Sequence, residues 1–242
     1  MINDKLNIKQ LSEDFAQNKS VQIFNFLKED NANELYNWFN FDIPEDWWFT
    51  SVHNPLAKDY EGALNIQRKP ESLNLIDEKI SEANEAFLNG NFSYVFDRSL
   101  PHAATCTCFE CQFLKFLESE FMLFFVNSIT GMRLDRTNEV FASRFTSNQF
   151  LSPHHDENKG KIGFVYTLTK NWRPEWGGNL HFMKEDYRTI TKTVVPVFNR
   201  LTLFDIPSKN GIPHYVSHVL PTVKSNRISI TGWFDSDVAE KC

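Results

Sequence analysis

Two hydrophobic periods divide the chain. In the first part, residues 73–89 place Leu75, Ile76, Ile80, Ala83, Ala86 and Phe87 at helical spacing, which predicts a helix. A shorter helix is expected over 30–39, where Leu35, Trp38 and Phe39 share one face and Asn31 or Asn33 is placed to cap it. A third helix is expected over 109–127, with Gly131 marking a break soon after it. Residues 21–27 (VQIFNFL) alternate like a strand, 46–51 are aromatic and β-prone, and 57–72 read as an irregular loop. From Val140 the pattern shortens. Apolar and β-branched runs at 140–146, 162–169, 179–183, 193–197, 199–205, 215–220 and 226–234 are separated by Gly160, Pro174, Gly177-Gly178, Pro207 and Gly211. Seven or eight short strands at this spacing predict a mainly β fold, a sandwich or jelly roll at 136–236 braced by the strand and helices of 1–135. The whole chain, 1–242, is expected to be a single domain.

Composition narrows the function. The chain has 41% hydrophobic and 23% charged residues, so it has material for a sizeable core. Its 23 phenylalanines predict aromatic packing in that core. A net charge of −6 without a basic run argues against nucleic acid as the partner. No apolar stretch is long enough to span a bilayer, and Met1–Lys5 does not open an apolar signal region, so a cytoplasmic protein with no membrane partner is expected. Cysteines stand at 106, 108, 111 and 242. Three of them fall in HAATCTCFEC, where three readings stay open: reduced thiols leading into a helix, a structural metal held with His102, or a redox role.

The segment 145–157 (FTSNQFLSPHHDE) carries the candidate chemistry. On a strand, residues i and i+2 face the same side, so His154 and Asp156 can reach one metal while His155 points away. A third ligand must come from a distant strand, and His218 follows His154 by 64 residues. Two imidazoles and one carboxylate leave positions open, which suits an iron(II) ion that must also bind a chelating co-substrate and dioxygen. Arg227 and Ser229 share a strand face, where a guanidinium and a hydroxyl can grip a carboxylate. His214 competes with His218 for this position. His53, His102, His181 and His214 are read as structural or substrate-side groups.

The stretch 140–234 resembles the prolyl-4-hydroxylase-like branch of the iron(II)/2-oxoglutarate dioxygenases. Three motifs carry the resemblance. They are Phe145, Gln149, Leu151, His154 and Asp156 in order, the Gly-Gly turn in WRPEWGGNLHF, and His218, Leu220, Val223, Arg227, Ser229 and Trp233. The N-terminal VQIFNFLKEDNANELYNWF is similar to that family's opening strand and helix. The resemblance implies a distorted double-stranded β-helix, with iron on His154, Asp156 and His218, and the far carboxylate of 2-oxoglutarate on Arg227 and Ser229. It implies dioxygen as the second co-substrate and ascorbate as a supporting reductant. Two departures stand out: Phe145 where the family has tyrosine, and Asn148 where it has a glycine, a position asparagine can fill in the left-handed region.

The segments FVYTLTKNWRPEWGG and FSYVFDR…CTCFEC are similar to bacterial hydroxylases of free amino acids related to radical halogenases. The halogenases lack the carboxylate ligand, so Asp156 implies hydroxylation. A free amino acid such as lysine is the expected substrate, and peptidyl proline is the alternative. Residues 52–72, 171–178 and 206–214 are candidates for a lid or a substrate groove. A non-catalytic jelly-roll binding or sensor module is the third reading.

Overall fold

A computed structural model describes residues 1–56, 62–100, 102–103, 105–207 and 211–237. Parts of two candidate lid segments (57–61 and 208–210) and Cys242 lie outside the described residues. The chain opens with α1 (Ile8–Asn18), capped by the Asn7 side chain, which accepts from the Gln10 N–H at 3.2 Å. The sequence reading had no helix here, because Ile8, Leu11 and Phe15 make only a thin apolar stripe among polar residues. β1 (Ser20–Phe24) leads to α2 (Glu29–Asn37), which starts after Lys28 without a side-chain cap, not at Asn31 or Asn33. A π-helical turn (Trp38–Asp42) and a 3-10 turn (Glu45–Trp47) then reach β2 (Trp48–His53).

The expected loop over 57–72 contains β3 (Leu64–Gln67), a strand held by pairing with β2 although only Ile66 of it is buried. α3 (Leu73–Leu88) follows as its periodicity predicts, then β4 (Tyr94–Ser99). The expected helix over 109–127 is two helices, α4 (Phe109–Leu117) and α5 (Glu120–Thr130). Ser119 breaks it by capping α5 with its hydroxyl on the Met122 N–H, and Gly131, at φ +72°, ends it in a left-handed cap. The remaining strands are β5 (Arg136–Phe145), β6 (Phe150–His154), β7 (Ile162–Thr167), β8 (Leu180–Met183), β9 (Ile190–Val194), β10 (Arg200–Asp205), β11 (His214–Val216) and β12 (Arg227–Asp235).

The strands form one curled sheet in the order β1-β10-β7-β12-β5-β4-β6-β11-β8-β9, antiparallel throughout, with β2 beside β4 and β3 beside β2. Two four-strand leaves, β10-β7-β12-β5 and β6-β11-β8-β9, face each other across a cavity, and β4 joins them. This is the jelly roll the strand spacing predicts. The strand period of two then sorts the side chains. On β12, Ile228 and Ile230 enter the core shared with the helices, while Arg227, Ser229 and Thr231 line the cavity. On β7, Phe164 and Tyr166 face the helices and Val165 faces the cavity. The helix-side core is aromatic, as the phenylalanine content predicts: Phe26 meets Tyr166 edge-on at 5.5 Å, and Phe113 lies 5.4 Å from the same ring. Among the described residues, no helix is long and apolar enough to cross a membrane.

Candidate metal centre

β6 and β11 pair so that His154 and His214 stand directly opposite, with ring centroids 4.3 Å apart. Asp156, just past the end of β6, reaches between them. Its carboxylate oxygens lie 3.5 Å from His154 Nε2 and 3.3 Å from His214 Nε2. One ligand atom from each residue falls within 4.8 Å of the others, close enough to share an ion. Both imidazoles are oriented from behind. His154 Nδ1 lies 3.0 Å from the Ser152 carbonyl, and His214 Nδ1 lies 2.9 Å from the Ile212 carbonyl. A carbonyl can only accept, so each Nδ1 carries the proton. In its neutral form each ring therefore directs an Nε2 lone pair at the shared centre.

An irregularity in β6 makes this aim possible. Leu151 pairs with Val216 and His154 with His214, so three steps on β6 match two on β11. The extra residue is a β-bulge at Ser152-Pro153, which changes the facing of the strand. Leu151 and His154 both turn to the cavity, while Phe150 packs away from it against Ala83, Val52 and Val95.

His218, expected as the third ligand, is not in this group. Its ring stacks on Phe150 at 4.0 Å and 16°, with Phe87 4.5 Å away, on the outer face of β6. β11 ends at Val216. The chain then leaves the strand with Ser217 N–H on the Asn179 carbonyl and Val219 N–H on the Gln149 carbonyl, which carries His218 outward. His214, read from sequence as structural, takes the third position. Its signal was present: His214-Tyr215-Val216 is also a His-x-Val run on a strand, but it lies thirteen residues before Arg227 where the family spacing favoured nine.

Burial works against charge on all three groups. It pushes His154 down, helped by the neighbouring His214. For Asp156 the two imidazoles outweigh burial and hold the carboxyl far below the usual carboxylate range. For His214 the Asp156 carboxylate outweighs burial and raises it. Asp156 is thus an anion with a ready cation site beside it.

The cavity lined by this group has a volume of about 240 Å³. Arg227 and Ser229 line it together with the three metal-competent residues. Arg227 is 3% exposed, and it forms no ion pair with any described residue. It donates to Ser229 Oγ at 2.8 Å and to the Gly178 carbonyl at 3.2 Å, and its guanidinium lies 4.8 Å above the Phe145 ring. Burial, with repulsion from Arg200, pulls it down to about 9. That is still well above neutral pH, so the cavity contains a buried positive charge with no counter-ion. The Gly-Gly turn explains itself here. Gly177 is at φ +76°, and a Cβ on it would collide with the His218 carbonyl, so only glycine lets Gly178 bring its carbonyl to Arg227. Asn148 adopts φ +65°, the left-handed conformation expected of it. Gln149 caps its own turn by accepting from the Thr146 N–H and donates to Asp97 at 3.0 Å.

Sequence reading missed a second cation in the cavity. Arg98 on β4 lies 3.6 Å from the centroid of the Phe141 ring, its Nε is buried without a hydrogen-bond partner, and it makes no ion pair with a described residue. Glu139, at φ +46° on β5, stands near it and is bonded to Lys159 at 3.0 Å. His181 does not line the cavity; it stacks on Tyr215 at 4.6 Å, as a packed strand histidine would.

The comparisons agree with this geometry. Residues 140–235 match the model of the 2OG-Fe(II) oxygenase superfamily. A prolyl-4-hydroxylase from Pseudomonas putida superposes with a TM-score of 0.57 at 16% identity, covering 96% of this chain and 100% of that one. A prolyl hydroxylase from Trichoplax adhaerens, solved with a peptide fragment of the hypoxia inducible factor oxygen degradation domain, gives 0.58 at 15% identity over 94% and 88% of the two chains. An oxidoreductase of the 2OG-Fe(II) oxygenase family from Burkholderia pseudomallei gives 0.55 at 12% over 97% and 93%. At these identities the structures speak to the fold alone. No curated protein matches the chain in sequence. The donor set of two imidazoles and a carboxylate, with an unneutralised guanidinium in the same cavity, fits iron(II) and a dicarboxylate. This match over residues 140–235, together with the His154-Asp156-His214 group, supports a dioxygenase that uses iron(II), 2-oxoglutarate and dioxygen.

Proposed function

We propose that this oxygenase hydroxylates a free amino acid at an unactivated C–H bond, with His154, Asp156 and His214 holding the iron and Arg227 with Ser229 gripping 2-oxoglutarate. Bound iron(II) with its co-substrates supplies oxidative decarboxylation and oxygen insertion. The protein supplies placement. His154 and His214 present lone pairs fixed by their Nδ1–carbonyl bonds. Arg227 offers a guanidinium to the far carboxylate, and Ser229 adds a hydroxyl at its edge. Phe96, Phe145, Val165 and Phe204 line the same cavity and keep it apolar around these groups.

One observation carries the amino-acid reading: the cavity has two guanidiniums without carboxylate partners, and 2-oxoglutarate accounts for one. Arg98 is left for a carboxylate on the substrate, and Glu139 beside it would exchange its Lys159 partner for the substrate's ammonium. A free amino acid has both charges, and an internal peptide residue has neither. Lysine is the first candidate. Prolyl hydroxylation of a protein remains the competing reading, since two of the similar structures carry that name.

The test is succinate release and gain of one oxygen by mass across the common free amino acids, their N-acetyl amides and proline-containing peptides. Turnover with a free amino acid and none with its blocked form is expected. Arg98→Met should raise the KM for that amino acid about tenfold or more while leaving the KM for 2-oxoglutarate unchanged, a loss in the range of one charge-assisted hydrogen bond. Hydroxylation of the peptides alone would overturn the reading.

A further inference from the structure

The segment HAATCTCFEC joins β4 to α4 on the helix side of the fold, and its polar side chains collapse onto one point. His102 Nδ1 lies 3.0 Å from Cys111 Sγ, 3.1 Å from Cys108 Sγ and 3.6 Å from Cys106 Sγ. All four ligand atoms fall within 4.8 Å of one another. The lone pair of one ring nitrogen can accept a single S–H, so three thiols crowded round it are not explained by hydrogen bonding alone. A tetrahedral zinc with thiolate and imidazole ligands sets nitrogen–sulfur edges of roughly 3.5 Å, close to those observed.

The surroundings favour the same answer. With Nδ1 facing the sulfurs, Nε2 carries the proton. Nε2 is buried, and its nearest acceptor is the Glu110 carboxylate at 3.5 Å. Glu110 is itself 1% exposed and accepts from Trp38 Nε1–H at 3.2 Å. A buried carboxylate behind an imidazole is the arrangement that fixes a metal-bound histidine. Cys108 caps α4 by accepting from the Cys111 N–H at 3.5 Å, which fixes its sulfur at the first turn of the helix beside Cys111. Cys106, Cys108 and Cys111 are not joined by disulfides.

We propose that His102, Cys106, Cys108 and Cys111 form a closed Cys3His site for a structural zinc ion, separate from the iron centre. The site ties the end of β4 to the start of α4 and to the Trp38–Trp47 turn, whose Trp47 ring meets His102 edge-on at 4.8 Å. Four protein ligands leave no open position, so its effect is on folding stability.

The experiment is metal analysis of the full-length protein grown with zinc and then dialysed against a chelator to strip the iron. About one zinc per chain should remain. Asp156→Ala should keep that zinc while losing iron. The double variant C108S/C111S should lose the zinc and keep iron binding, with a lower Tm. Should that variant fail to fold, wild-type protein grown on cobalt provides the second reading: intense tetrahedral d–d and thiolate charge-transfer absorption. In addition, zinc release by a mercurial, followed with a chromophoric chelator, should shift the tryptophan emission of Trp38 and Trp47. Wild-type protein without stoichiometric zinc or cobalt bands, with three thiols freely titrated in the native state, would overturn the proposal. So would a disulfide among Cys106, Cys108 and Cys111 in unreduced protein.

Discussion

Arg144 and Arg227 sit side by side in the same pair of strands, since Arg144 faces Ile228 and Arg227 faces Phe145 across β5 and β12. Both are buried, yet they differ in company. Arg144 projects to the helix side, where its Nε donates to Asp97 at 2.9 Å, its two terminal nitrogens to Glu45 at 2.7 and 2.8 Å, and its plane lies 4.6 Å from Trp48. Arg227 projects into the cavity and has a hydroxyl, a carbonyl and an aromatic face, with no carboxylate among the described residues. One step of register between β5 and β12 thus separates a charge that holds the fold from a charge with no carboxylate partner among the described residues. A buried guanidinium left without a counter-ion is costly, and under the proposed function an anionic co-substrate in the adjoining cavity offsets that cost.

The sharpest way to break this comparison is to remove each arginine in turn. Arg144→Ala leaves Asp97 buried opposite a lost partner, and about 3–5 kcal/mol of stability should go with it. Thermal unfolding should show this, with little change in the KM for 2-oxoglutarate of the protein that remains folded. Arg227→Ala should do the reverse. Its Tm should hold or rise, while kcat/KM for 2-oxoglutarate should fall by about 10²–10³, the scale of a lost buried charge-assisted contact. Equal loss of stability in both variants would erase the distinction. A smaller effect is expected at Phe145. Replacing it with leucine removes the ring under Arg227, and the KM for 2-oxoglutarate should rise only a few-fold, in keeping with about 0.5–2 kcal/mol for a cation–π contact.

The smallest effect lies in pH. Burial pushes Glu45 up, but Arg144 and Arg68 outweigh it, so its folded pKa lies below the ordinary 4.5. A depressed carboxyl stabilises the fold above its unfolded value and stops doing so as pH falls through the folded one. Glu45→Gln should therefore flatten the loss of stability that the wild type shows as pH drops below about 4.5. Glu45 is half exposed, so solvent screening keeps this contribution modest.

Much of this was legible in the sequence, for physical reasons that vary by element. The strands of the jelly roll announce themselves because one face meets a core and the other a cavity, so Ile228 and Ile230 alternate with Arg227, Ser229 and Thr231. The pair His154 and Asp156 was read from the same period, although β6 ends at His154 and Asp156 is placed by the chain beyond it. What sequence could not supply was the bulge at Ser152-Pro153, which is a property of pairing between β6 and β11 and decides which distant histidine stands opposite His154. Spacing to Arg227 favoured His218, but the ten residues 217–226 between β11 and β12, His218 among them, form a connection whose length sets no facing. β3 and α1 were missed because each buries a single apolar side chain, so their periodicity is faint while their tertiary hydrogen bonds and contacts are not. Arg98 was invisible because nothing local marks a cation as unpaired.

The most direct measurement is the visible charge-transfer band formed when iron(II) and 2-oxoglutarate are added under anaerobic conditions, compared in His214→Ala and His218→Ala. The His218→Ala protein should give the wild-type band and release succinate in air. The His214→Ala protein should give neither. A band that survives the loss of His214 and disappears with His218 would contradict the site assembled from β6 and β11.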